Sequence, residues 1–248
     1  MKLNKKMTIR WNKILVIILI IISLIVFFSC SYFLLKDYSE LQENNESTEN
    51  LIEDTIEVNP ETQEIVIDWD YLKSVNEDII GWLIIENTDI SYPILKDNNL
   101  YYLKHSFDKK YNSNGSIFTT DTSPFVDSQT IIYGHNMKNG SMFSNLGNYM
   151  DKEFFYSHLN LKIYTPTCNY EGTIFSVYSI GVDTESNNIK SLDFNELIDY
   201  YKKASKYSIE FNGEINKIVK LSTCSYINQR TTPTEQRYYI IACLIPIE

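Results

Sequence analysis

Cys224 stands in the string Leu221-Ser222-Thr223-Cys224-Ser225-Tyr226, directly after the alternating run Ile218-Val219-Lys220-Leu221. That run reads as a β-strand with a thiol at its end. Arg237 opens the next strand-like run, residues 238–245. Far upstream, His135 lies in Ile131-Ile132-Tyr133-Gly134-His135-Asn136-Met137. A thiolate is a strong nucleophile. An imidazole can take and return protons near neutral pH. A guanidinium carries fixed donors and a permanent charge for a developing oxyanion. The three residue types are those needed for acyl transfer through a thioester.

The competing reading of any cysteine is a small buried hydrophobe. Cys243, inside an apolar strand, and Cys168, near the turn Thr167-Cys168-Asn169, are read that way. Cys30 falls in an apolar N-terminal stretch. The other three form an odd set without metal-ligand spacing or a disulfide framework. His135 sits in a Gly-His-Asn turn, a poor place for packing, which favours chemistry. His105 and His158 receive no role.

These side chains need a rigid scaffold. Short strand-like pieces recur at 81–85, 90–94, 115–119, 129–133, 161–165, 172–180, 217–222 and 237–247. Turn residues such as Asn87-Thr88-Asp89 separate them. Helical spacing marks 68–75, where Asp68 is a cap candidate, and the short segments 142–150 and 151–158. Segment 193–206 is the strongest helix, with Asp193 and Glu196 as a capping box and Phe194, Leu197, Ile198 and Tyr201 along one face. The pattern predicts a mainly β fold, a closed barrel with N-terminal and peripheral helices.

Residues 14–35 are uncharged and dominated by Ile, Leu, Val and Phe, long enough to cross a bilayer. Lys2, Lys5, Lys6, Arg10 and Lys13 precede them, and the first acidic residue is Asp37. The positive-inside rule puts 1–13 in the cytoplasm, 14–35 in the membrane as a single span, and the remainder outside the cell. A cleaved signal peptide and a lipoprotein signal ending at Cys30 are the alternatives. The first meets an overlong apolar segment with no small-residue cleavage site. The second meets bulky Phe27 and Phe28. Residues 36–66 are polar and acidic and read as a flexible linker, leaving 67–248 as the catalytic domain. The formal charge of −10 conceals a basic N-terminus and a more acidic remainder. Such a surface disfavours nucleic acid as a partner.

Taken together, these residues resemble the sortase family, specifically class B. The resemblance covers nearly all of 68–247. It is carried by Ile79-Ile80-Gly81-Trp82, Tyr92-Pro93-Ile94, Tyr101-Tyr102-Leu103-Lys104-His105, Ser116-Ile117-Phe118, the 131–143 run around His135, Leu221-Ser222-Thr223-Cys224, and Arg237-Tyr238-Tyr239-Ile240-Ile241-Ala242. The helix at 193–206 is similar to the extra helix of class B. The resemblance implies a closed eight-stranded β-barrel preceded by a transmembrane helix. It also implies a membrane-anchored cysteine transpeptidase of a Gram-positive cell surface. Such an enzyme cleaves the sorting signal of an exported protein and joins the new carboxyl end to a peptidoglycan amine, with no cofactor or metal.

By this resemblance Cys224, His135 and Arg237 are the catalytic residues. Arg230 lies nearer Cys224 in sequence, but within a turn segment. Arg237 precedes the apolar strand as the family pattern requires. Ser222 and Thr223 flank the thiol as substrate contacts, Asn99 and Leu103 match groove positions, and Tyr226 is expected to wall the pocket. For Asn99 and Leu103 the alternative is a helix cap and a core residue. Two other functions stand beside the main one. One is another cell-surface cysteine acyltransferase such as an L,D-transpeptidase, whose Ser-x-Gly-Cys block is missing here. The other is a non-catalytic surface binding module. The string Asn59-Pro60-Glu61-Thr62-Gln63 resembles a class B sorting signal, but neither a hydrophobic tail nor a basic end follows it.

Overall fold

The computed structural model describes residues 4–60, 64–209, 211, 213–226 and 235–247. The chain divides into two compact units, one ending at Asn50 and the other starting at Leu51. The first is helical and belongs to α1 (Asn4–Thr55). It contains one stretch long and apolar enough to cross a membrane, Lys13–Lys36, with a mean hydropathy of 3.2 and no buried residues.

The second unit begins with the end of α1 and a two-stranded antiparallel ribbon, β1 (Ile56–Val58) and β2 (Ile65–Ile67). The short helix α2 (Trp69–Val75) follows, and the Asp68 carboxylate accepts from the Tyr71 amide at 2.9 Å, as its capping position predicts. Eight further strands come next: β3 (Ile79–Ile85), β4 (Ser91–Lys96), β5 (Ile117–Thr119), β6 (Gln129–Tyr133), β7 (Asn160–Tyr164), β8 (Asn169–Gly181), β9 (Ile218–Cys224) and β10 (Gln236–Ile247). They close into a barrel in the order β10-β8-β7-β3-β4-β5-β6-β9. The pairs β4/β5 and β6/β9 are parallel and the rest antiparallel. This is the closed eight-stranded fold that the sequence leads one to expect.

Alternation builds two cores from one strand. In β10, Tyr238, Ile240, Ala242 and Leu244 face the barrel interior with Leu83, Ile94, Ile132, Ile174 and Leu221. Tyr239, Ile241 and Cys243 face the other way. There they meet Ile198 and Tyr201 of α5 (Phe194–Ala204), so the strand is apolar at nearly every position. Full burial of one such Ile or Leu contributes about 1.5–3 kcal/mol. Helix α5 starts with the anticipated Asp193–Glu196 capping box. Within 142–150, Ser144–Met150 form a 3-10 helix, and α3 (Lys152–Ser157) is capped by Asp151.

Two regions differ from expectation. The flexible linker placed over 36–66 is helical through Thr55 in the structure and then forms the β1–β2 ribbon. Leu51 and Ile67 are buried with Leu72, Ile79 and Trp82, and Ile52, Ile56 and Ile65 pack against them. The acidic average of the segment conceals this minority of apolar residues. Helix α4 (Val182–Ile189) was not anticipated at all. Its sequence lacks an apolar stripe, and its deepest residue is Glu185, 2% exposed.

Candidate active site

The site lies where β9 ends. The parallel pairing of β6 with β9 runs to Tyr133 opposite Ser222, and the Gly134 amide continues it with a bond to the Ser222 carbonyl at 3.2 Å. Two residues beyond that last pair on each strand stand His135 and Cys224. On the other side of β9, Arg237 is the antiparallel partner of Cys224. Directly opposed residues in such a pair stand about 4.5–5.5 Å apart. One strand end therefore has the imidazole segment on one flank and the guanidinium residue on the other.

The histidine turn is tightly closed. The Phe143 amide donates to the His135 carbonyl at 2.9 Å, and Asn136 bridges to Met142. Gly134 is required by crowding: a Cβ there would lie 2.4 Å from Ile117 Cδ1 and 2.7 Å from Phe143 Cδ2. The side chain of Asn136 donates from Nδ2 to the Cys224 carbonyl at 2.7 Å. His135 Nε2 lies 2.8 Å from the Leu103 carbonyl oxygen. Arg237 is half-buried, and its Nη1 donates to the Gln236 carbonyl at 2.9 Å.

Cys224 is half-buried, whereas Cys243 is buried beneath α5, where burial pushes its thiol pKa up. Tyr226 is within electrostatic reach of both Cys224 and Arg237. Burial raises its hydroxyl pKa, a Cys224 charge raises it further, and Arg237 opposes them.

The expected substrate residues separate into groups. Ser222 shares the Cys224 face of β9 by alternation. Thr223 falls on the opposite face with Val219 and Leu221, is 2% exposed, and has no hydrogen-bond partner for its Oγ1 among the described residues. Strand alternation thus turns Thr223 inward, beneath the thiol rather than beside it. Leu103 closes the 3-10 helix Tyr101–Leu103 and is 36% exposed, so it is not core, and its carbonyl reaches His135. Asn99 is exposed in the turn before that helix, where its amide donates to Asp97 Oδ1 at 2.9 Å; the cap position itself is Leu100. Arg230 lies outside the described residues, as do residues 61–63 of the sorting-signal-like string.

Sequence reasoning missed Asn136, although its place beside His135 in the same turn was a usable signal. It also gave Leu103 a side-chain role and overlooked its carbonyl, which has no signature in residue type.

Residues 83–245 match the sortase domain family. Sortase B of Listeria monocytogenes is 40% identical over 179 residues, spanning 68% of this chain and 71% of that protein. This chain belongs to the sortase family. Among solved structures, sortase B from Bacillus anthracis in complex with AAEK1 aligns with a TM-score of 0.68 at 27% identity, over 85% of this sortase and 100% of that chain. The Staphylococcus aureus sortase B–substrate complex aligns at 0.64 and 26% identity, over 73% and 85%. The relatives are class B, and the chain is accordingly a class B sortase-type cysteine transpeptidase. Neither the L,D-transpeptidase nor the binding-module alternative draws support from these matches.

Proposed function

We propose that Cys224 is the nucleophile of this transpeptidase, His135 its acid–base group and Arg237 its oxyanion partner. The substrate is an exported protein carrying a sorting signal, and the acceptor is an amine of peptidoglycan. The observation that carries this reading is the convergence on one strand end: Arg237 pairs with Cys224, and the His135 turn is tied through Asn136 to the Cys224 carbonyl.

The chemistry follows from the groups. The Cys224 sulfur attacks the scissile carbonyl carbon after giving its proton to the imidazole. The carbonyl oxygen gains negative charge, and the Arg237 guanidinium meets it with charge-assisted donors. The adduct collapses, the C–N bond breaks, and His135 protonates the departing amine. A thioester remains. An incoming amine attacks it, loses a proton to His135 and expels the thiolate, forming a new amide bond. Of the two flanking hydroxyl residues, Ser222 is the one on the thiol's face of β9. Tyr226 walls the pocket, and Asn99 and Leu103 line the approach.

The anchor reading accompanies this one. Residues 1–13 form a cytoplasmic tail, 14–35 the single span, and the catalytic domain of 67–248 lies outside the cell. Residues 36–50 join the two, since Leu51, Ile52, Ile56 and Ile65 pack with the domain's own core. The cluster of basic residues before the apolar stretch supports that orientation.

Mass spectrometry of the protein with a library of sorting-signal peptides, with and without candidate amines, tests the whole proposal. Expected are a peptide thioester on Cys224 and its transfer to one class of amine. A Cys224→Ala variant that still cleaves the peptides overturns the assignment.

A further inference from the structure

The hydrogen bond between His135 Nε2 and the Leu103 carbonyl fixes more than the direction of the ring. The Leu103 carbonyl oxygen can only accept, so His135 Nε2, 2.8 Å away, must carry the hydrogen. In the neutral ring the lone pair is then on Nδ1. We propose that the Leu103 main-chain carbonyl is a positioning group. It holds neutral His135 as the Nε2–H tautomer and makes Nδ1 the nitrogen that exchanges protons with Cys224 and the amines. This rests on His135 being the acid–base group.

The carbonyl is itself held from several sides. The Leu103 amide donates to Leu100 and the Lys104 amide to Tyr101, each at 3.2 Å. The neighbouring Tyr102 is 2% exposed and acts as a rivet. Its amide donates to Asp97 Oδ2 at 2.8 Å, its hydroxyl donates to Asp78 Oδ2 at 2.6 Å, and that hydroxyl accepts from Asn76 Nδ2 at 2.7 Å. The Ser116 amide donates to the Tyr102 carbonyl at 2.9 Å. Gly115 fills the remaining side. Its φ of +59° lies in the left-handed region, and a Cβ there would lie 2.7 Å from the Leu103 oxygen and 2.6 Å from the Tyr102 oxygen. Any larger residue at 115 must therefore push on the carbonyl that orients the imidazole.

The proton account is complete with one nitrogen. Nδ1 takes the Cys224 proton as sulfur attacks, and both ring nitrogens are then protonated. Nδ1 returns a proton to the departing amine as the C–N bond breaks. Nδ1 later accepts a proton from the incoming amine and returns it to Cys224 or solvent. Nε2 keeps its hydrogen on Leu103 throughout.

The test is histidine-15N correlation spectroscopy of the full chain in detergent micelles, at a pH where the ring is neutral, with His135 assigned by the signals lost in His135→Gln. Expected is a protonated, pyrrole-type Nε2 and an unprotonated, pyridine-type Nδ1. A neutral His135 that is Nδ1–H, or an even mixture of tautomers, overturns the proposal. Gly115→Ala adds a kinetic arm. It is expected to lower kcat by about 10²-fold with little change in KM, together with a shift toward mixed tautomers. A Gly115→Ala enzyme with lowered kcat and an intact Nε2–H signature also overturns it. If Gly115→Ala does not fold, the wild-type spectrum decides alone. His135→Ala is assayed in parallel. Retained cleavage there refutes the acid–base assignment, whereas lost cleavage beside an Nδ1–H ring refutes only the role of Leu103.

Discussion

Asn136 Nδ2 donates to the main-chain carbonyl of Cys224 at 2.7 Å. The residue after the imidazole thus grips the residue that carries the thiol, 88 positions away along the chain. Asn136→Ala removes the donor and is expected to destabilise the fold by about 1 kcal/mol and to slow peptide cleavage about tenfold through misalignment. Asn136→Asp sets a carboxylate oxygen against a carbonyl oxygen and is expected to be worse on both counts. Thermal unfolding and steady-state cleavage kinetics check the order; an Asp variant as active as wild type contradicts it.

Arg237 and Arg230 make different predictions. Arg237→Ala is expected to lower kcat by about 10²–10³, the usual loss for one oxyanion donor. Arg237→Lys retains charge without the planar fork and should fall between the two. Arg230→Ala should leave the rate near wild type. Trapping of the acyl-enzyme alongside the rates separates slow acylation from slow transfer. A larger loss at residue 230 than at 237 reverses the assignment.

Legibility in the sequence follows the kind of interaction involved. Strand β10 is readable because both of its faces are buried, which demands an unbroken apolar run. Cys224, His135 and Arg237, the proposed catalytic residues, can be singled out in sequence because the chemistry proposed for them resides in side-chain type. Helix α4 is not, because it is held by Glu185, a residue that hydropathy assigns to solvent. The β1–β2 ribbon is hidden for a related reason, since a few isoleucines suffice to dock an otherwise acidic segment. The Leu103 carbonyl is invisible because every residue has one, and only the fold decides which of them meets an imidazole.

Lys220 and Glu185 form an ion pair that is almost wholly buried, with side chains 2% and 3% exposed. Tyr178 and Tyr200 donate their hydroxyls to the same carboxylate at 2.6 and 2.8 Å, and the Lys220 ammonium lies 4.1 Å from the Tyr239 ring centre. Burial pulls the Lys220 pKa below the ordinary lysine value, while Glu185 opposes that shift. The pair joins α4 to the outer face of β9. Lys220→Met strands a buried carboxylate and is expected to cost about 3–5 kcal/mol. Adding Glu185→Gln removes the stranded charge, keeps an acceptor for the tyrosines, and should restore most of the loss. Urea denaturation measures both variants, and a double variant no more stable than the single one would show that charge pairing is not what anchors α4.

Buried tyrosines, two of them beside that pair, set an alkaline limit on stability. Burial raises the phenol pKa values of Tyr149, Tyr178 and Tyr201, and for the last two the Glu185 charge raises them further. An unfolded tyrosine ionises near about 10. Below that pH both states hold the proton and the stabilisation is fully present. Above it the unfolded chain releases protons that the folded one retains, so stability falls by up to about 1.4 kcal/mol per pH unit for each tyrosine until its folded pKa is reached. Lys220 acts in the opposite sense: between its lowered folded pKa and about 10.4 the unfolded chain holds more protons, and stability rises with pH. Above about 10.4 that contribution is saturated and the phenols dominate. Urea midpoints measured from neutral pH into the alkaline range should therefore drop steeply once the pH exceeds about 10–11, with the last phenolate absorbance appearing together with unfolding. Ionisation of all the tyrosines in a protein that stays folded would show that these phenols are not held in the interior.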